Sequence, residues 1–199
     1  FKKPLIIYQI TNEKVSNTNI NFQLNFDLEE SSSIKIINFS NDNSEKNFIN
    51  NLFNFNLDKN AILKNYKIDK KSNTNIKYDY SSIIQKENSI SETFIFSSGS
   101  DYIKNEVNCN LEGQYSSAFI NGIHSLSKNK HHEIRTNTKH LYENTKSYQL
   151  IKSVIDDNSK SVYQGKIYVD SKAQKTDGYQ LSKAVLLNEQ AEFNAKPEL

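Results

Sequence analysis

A chain of 199 residues has the length of one domain, and its 53 Leu, Ile, Val and Phe residues supply enough apolar surface to exclude disorder as the default. Lys and Arg number 25 against 23 Asp and Glu; the net charge of +2 is spread along the chain, which excludes the charge block expected of a nucleic-acid or anionic-membrane partner. One cysteine, Cys109, excludes an internal disulfide framework, and no apolar run approaches the ~20 residues of a membrane span, so a cytoplasmic protein is expected.

The opening Phe1-Lys2-Lys3-Pro4 lacks the ordered regions of a signal peptide. Strand patterning then dominates. Ile20, Phe22, Leu24, Phe26 and Leu28 alternate with polar residues, and so do Phe53, Phe55 and Leu57, which places one side of each strand on a core. Tyr66 and Ile68, Tyr78 and Tyr80, Phe94 and Phe96, then Val107, Cys109 and Leu111 extend the pattern. The stretch Ser147–Asp157 reads equally as a helix or a short buried strand, because Leu150, Ile151, Val154 and Ile155 fall at i, i+1, i+4 and i+5. Ile167 and Val169 return to strict alternation. The chain stops at Leu199 without a turn or a polar tail, which reads as a piece of a longer protein.

One turn device recurs: an apolar residue, an Asp, Asn or Glu, two polar residues, then a small one. It begins at Leu28, Leu57, Leu111 (a poorer match, ending in Tyr115), Val169 and Leu187, at separations of 29, 54, 58 and 18. The middle two are close to twice the first, and such a period points to a solenoid. With only 5 Gly and 2 Pro the chain is poor in tight hairpin signals, although Asn121-Gly122 and Asp177-Gly178 occur. The sequence therefore predicts an all-β fold, a right-handed parallel β-helix occupying residues 1–199 as one domain, with a β-sandwich as the alternative. Its 28 Asn are welcome in stacked ladders but read mainly as coding bias.

Candidate chemistry is sparse. His131, His132 and His140 cluster around Arg135. On a strand His132 and His140 share a side that His131 does not, so two readings stand: a metal site, or side chains exposed along one edge of the solenoid. His124, beside Asn121-Gly122, reads as a turn residue. Cys109 lies between Val107 and Leu111 at strand spacing and is expected to be a buried, unreactive thiol. Lys175 with the turn amides could bind an anion; the alternative is a solvated Lys175 beside a turn at Asp177-Gly178. No phosphate-binding loop or paired-cysteine motif occurs, and the sole Arg leaves little for clamping phosphate.

The words A-Q-K-T-D (Ala173–Asp177), L-L (Leu186, Leu187) and A-K-P-E-L (Ala195–Leu199), with N-G-I-H-S-L (Asn121–Leu126), H-H-E-I-R-T (His131–Thr136) and Y-Q-G-K-I-Y-V (Tyr163–Val169), resemble the SufB/SufD core-domain family, on its SufD branch. Weaker likeness runs upstream through K-P-L-I-I (Lys3–Ile7) and N-L-E-G (Asn110–Gly113). The motif positions are Asn121, Gly122, Gln174, Lys175, Thr176, Asp177, Lys196 and Pro197. The resemblance implies a β-helix core and a non-enzymatic scaffold that works with SufB and the ATPase SufC on a nascent iron-sulfur cluster. It also implies that the family's Cys and His at the SufB interface lie beyond Leu199, so no cofactor is expected on this fragment, whose open end should favour self-association. A carbohydrate-active β-helix enzyme acting on acidic polysaccharide is the alternative; it would need clustered carboxylates and several cations, where Arg135 stands alone among arginines.

Overall fold

The computed structural model describes residues 3–11, 14–42, 44–70 and 75–199; Phe1 and Lys2 lie outside them. Fourteen strands follow one another in these residues, and they deal alternately into two parallel sheets of seven. The odd sheet holds β1 (Leu5–Thr11), β3 (Ser33–Asp42), β5 (Ile62–Asp69), β7 (Ile90–Ser97), β9 (Ser117–Leu126), β11 (Lys146–Ile155) and β13 (Asp177–Leu186). The even sheet holds β2 (Asn19–Leu28), β4 (Phe48–Leu57), β6 (Ile76–Gln85), β8 (Tyr102–Leu111), β10 (His131–His140), β12 (Lys160–Val169) and β14 (Glu192–Glu198). Each coil contributes one strand to each sheet, which makes the molecule a β-solenoid and rules out the sandwich. The segment left open between helix and strand is β11.

The coil length can be read from the register. Asn19 pairs with Phe48, Phe48 with Ile76, Ile76 with Tyr102 and Tyr102 with His131, so a coil takes 29, 28, 26 or 29 residues. Leu28, Leu57 and Leu111, heads of the turn device, lie in one inward row with Gln85 and His140, and Val169 continues that row in register where it is left exposed beyond β14. The doubled separations in the sequence are thus two coil steps each, with a polar rung in the middle. Leu187 follows β13 in the other sheet, and its spacing of 18 is not a rung.

The corner after each even strand explains part of the asparagine content. Ser31, Asn60, Asn88, Tyr115, Asn144 and Lys175 all take left-handed backbone, with φ between 56° and 61°, a region Asn tolerates better than most residues. The corners stack through their amides: Asn60 N–H donates to Glu87 O at 3.0 Å and Asn88 N–H to Gln114 O at 2.9 Å. Asn47 and Asn75 are buried at the opposite corner, where Asn75 Oδ1 accepts from the Asn47 amide at 2.9 Å. On the outside, Asn50 donates to Asn21 and Asn54 to Asn25. Coding bias is therefore not the whole account of this residue.

Much of the interior is apolar, built on Ile36, Phe53, Phe55, Leu57, Leu63 and Ile83 and continuing through Val107, Ile120, Ile134 and Ile151. Polar side chains interrupt it at many rungs. In β5, β6 and β7 the expected order is reversed. Tyr66 and Ile68, Tyr78 and Tyr80, and Phe94 and Phe96 face outward, while Lys67, Asp69, Lys77, Asp79, Ser91 and Thr93 are buried. Alternation fixes which residues share a side but not which side is inside; register with neighbouring coils decides that, and a one-residue slip would invert it.

Glycine positions test the stacking. A Cβ on Gly113 would lie 2.0 Å from the Glu87 backbone nitrogen, whereas on Gly178 its nearest neighbour, Ile167 Cγ2, would be 3.4 Å away. Gly113→Ala is therefore expected to destabilise by at least about 2 kcal/mol, and Gly178→Ala to shift stability by no more than about 0.5 kcal/mol. Denaturant titration of both variants checks this; equal effects would contradict the stacking.

Candidate functional site

Strands β8 to β12 bring most of the residues singled out from the sequence to two places, the inside of the solenoid and the outer side of the even sheet. His132, His140 and His124 are all fully buried. Neither an exposed edge for the first two nor a turn for the third holds: His124 and Asn121-Gly122 lie within β9. Gly122 faces inward, where a Cβ would meet Ile134 Cδ1 at 2.5 Å and Ile151 Cδ1 at 2.9 Å, so a larger residue at this motif position would have to displace the ends of two isoleucines.

The histidine tautomers follow from their partners. His132 Nε2 faces the Ser100 carbonyl at 2.7 Å and must donate; Nδ1 then accepts from the Ser97 hydroxyl, also at 2.7 Å. Thr145 uses its hydroxyl proton on Tyr142 O at 3.0 Å, so it accepts from His140 Nδ1 at 2.7 Å, and His140 Nε2 accepts from Ser147 at 2.8 Å. His124 Nδ1 meets Ser161 Oγ at 2.7 Å, while its Nε2 has no hydrogen-bond partner among the described residues and its ring stands edge-on to His132 at 5.7 Å. His131 points outward, paired with Glu133 at 2.9 Å and packed on Tyr102. Among the described residues no group of three or more His, Cys, Asp or Glu is placed to hold a metal ion.

Burial sets the chemistry of these groups. It pushes His124 down to about 3, and His132 and His140 each to about 4. Burial likewise pushes the Cys109 thiol up to about 12, and its Sγ donates to Gln85 Oε1 at 3.1 Å. The thiol is fully enclosed, as the alternation with Val107 and Leu111 predicts.

A buried charge cluster between β5 and β6 was not anticipated from the sequence. Lys77 Nζ lies 3.0 Å from Asp69 and 3.8 Å from Asp79, and Asn51 donates to Asp79 at 2.5 Å. Lys67 Nζ has no hydrogen-bond partner among the described residues; it sits 4.7 Å over the Phe53 ring, and burial pushes the amine down to about 8. Its one legible signal was the matched spacing of Lys67 with Asp69 and Lys77 with Asp79.

On the outer side of the even sheet a polar groove of about 270 Å³ collects Arg135, Lys166 and Lys196, with Glu106, Glu198 and Gln164. Register stacks Arg135, Gln164 and Lys196 in one row. Lys196 pairs with Glu198 at 3.0 Å and holds its carboxyl below the ordinary range. Pro197 sits opposite Gly165 on β14, the terminal strand of the sheet, where a missing amide donor is tolerated. Of the other motif residues, Lys175 is exposed and forms the left-handed corner, and Thr176 stacks on Thr145 at 3.3 Å. Gln174 donates to Ser171 O within the turn, and Asp177 and Gly178 open β13 rather than forming the turn.

The motif positions are thus spread over a packing contact, a corner and an edge, and sequence comparison identifies what they share. A family described as SUF system FeS cluster assembly, SufBD core domain, matches residues 10–199. The chain belongs to the SufBD core domain family. The iron-sulfur cluster assembly protein SufD of Escherichia coli (strain K12) is 26% identical over 201 residues, a match covering 99% of this chain and 47% of that protein. The chain therefore spans about half the length of its SufD relative. No helix among the described residues is long and apolar enough to cross a membrane.

Two outcomes follow for this SufBD core. Cys109 is expected to resist iodoacetamide at pH 8 in the native protein and to react fully in guanidinium; rapid native labelling would contradict its enclosure. For the three interior histidines, folded pKa values below the unfolded ~6.5 mean that the unfolded chain binds more protons between pH 6.5 and 4. Stability is therefore highest above pH 6.5 and declines as the pH falls toward 4, each histidine contributing at most about 1.4 kcal/mol per pH unit. Urea midpoints that stay constant from pH 7 to 5 would refute this.

Proposed function

We propose that this chain is the core of a non-enzymatic scaffold subunit that joins a SufB-like and a SufC-like protein in building nascent iron-sulfur clusters. The observation that carries the reading is the family match over residues 10–199, supported by the SufD relative along nearly the whole chain. The nature of the interior supports a scaffold over a catalyst. Cys109 is enclosed with its proton held, and both ring nitrogens of His132 and His140 are engaged. These groups stiffen the coils, and a substrate would have to unstack strands to reach them. A rigid solenoid with two broad sheet surfaces suits a part that holds partners in register. The cluster is cargo in this reading, taken up by the assembled complex.

Affinity purification of the complete protein from its own cells is expected to bring SufB-like and SufC-like subunits with it, and Cys109→Ser should leave that complex and the activity of iron-sulfur enzymes unchanged. The isolated 199-residue chain should neither hydrolyse ATP nor retain a reconstituted cluster, since clusters commonly take four ligands, chiefly thiolates, and it offers one thiol. A stable cluster on the isolated chain, or loss of assembly in Cys109→Ser with the fold intact, would overturn the scaffold reading.

A further inference from the structure

The two outer sheet surfaces differ in kind. That of the even sheet is mixed: Phe48, Leu52, Ile76, Tyr78, Tyr80 and Ile84 lie among Asn21, Asn50 and Asn54 in its first coils, and Lys104, Glu106, Arg135 and Lys166 make its later coils charged. That of the odd sheet carries long apolar rows along the stacking direction, the first broken at Asn121 and the second ending in Lys152 and Lys183. Ile37, Tyr66 and Phe94 follow one another in register, with Leu150 and Leu181 two and three rungs on; Tyr8, Phe39, Ile68, Phe96 and Ile123 form the neighbouring row. Tyr8 stacks on Phe39 at 5.3 Å and Tyr148 on Tyr179 at 4.9 Å. This is the side that the alternation of Tyr66 with Ile68 and Phe94 with Phe96 marks as core.

The extent and charge of this surface define what would cover it. Seven strands at ~4.8 Å, read over about eight residues at ~3.3 Å, span roughly 800 Å², close to what one partner contributes to a standard protein interface. Among its strand residues the surface bears five outward lysines, Lys35, Lys64, Lys146, Lys152 and Lys183, against two carboxylates, Glu92 and Asp177. Lys64 is paired with Glu92 at 3.0 Å; the other four make no ion pair among the described residues. Near its centre Asn121 interrupts the first apolar row, and a hollow of about 330 Å³ opens there among Tyr66, Phe94 and Phe119. A hollow of that size accepts one large side chain, the usual form of a central anchor.

We infer that the outer surface of the odd sheet is a docking site for an amphipathic protein segment with an apolar stripe and acidic flanks. A second copy of this chain is disfavoured as the occupant, because sheet-to-sheet packing would set lysine-rich borders against each other. The inference rests on the surface itself and does not require the cluster-assembly reading.

The test uses the full chain and a synthetic 20-residue amphipathic helix with leucines on one side and glutamates along both flanks, read by fluorescence anisotropy. A second peptide carries lysines in place of the glutamates. The glutamate peptide is expected to bind at least tenfold more tightly than the lysine peptide, with affinity falling as salt rises. Lys152→Glu, at an exposed position with no ion pair, should weaken it about fivefold or more without altering thermal stability, while Arg135→Glu on the opposite sheet should leave it unchanged. Phe94→Ser should abolish binding. Equal affinity for both peptides, no binding, or insensitivity to Lys152→Glu and Phe94→Ser overturns the inference. So does a chain that sediments as a dimer and becomes monomeric in Phe94→Ser, since a second copy would then be the occupant.

Discussion

Ten of the fourteen strands are held by two parallel neighbours one coil away, so most residues must suit the residues about 29 positions before and after them. This stacking register is the constraint on which the rest depends. It requires the corner after each even strand to adopt the same left-handed turn, which is why Asn recurs at 60, 88 and 144. It also allows a polar rung such as Gln85 or His140 to occupy a row of leucines, provided a neighbour satisfies it: Gln85 bonds Ser91 and Ser117, and His140 bonds Thr145 and Ser147.

The same constraint produces an interior that is polar for a stacked core. Serines and threonines serve as partners for buried histidines, and the Lys77–Asp69–Asp79 group is joined to Asn51. Buried pairs of this kind add little net stability, but removing one partner strands the other, so they act against slipped registers. The cost falls on the acid side. Histidines kept neutral by burial take up protons on unfolding, and the fold weakens as the pH drops.

Function is read from the outside. The interior accounts for the packing role of motif residues such as Gly122, and the corner accounts for Lys175 and Thr176, leaving Lys196 at the groove edge as a motif residue open to solvent. Family membership ties the chain to the SUF system, and the outer surface of the odd sheet is the more apolar of the two.

By itself the sequence determined the strand content, the repeat near 29 residues, the enclosure of Cys109 between Val107 and Leu111, and the family, because all four are written in local spacing or in short words such as A-Q-K-T-D and A-K-P-E-L. It also placed His132 and His140 on one side of a strand and His131 on the other. Only the tertiary structure decided which side was inside. Alternation is symmetric, so Phe94 and Phe96 read as core although they face outward, and His132 and His140 read as edge residues although they are enclosed. What broke the symmetry was contact between coils: Lys67 and Asp69 face inward because the strands on either side pair with β5 in a register that puts them there. No window shorter than a coil contains that information.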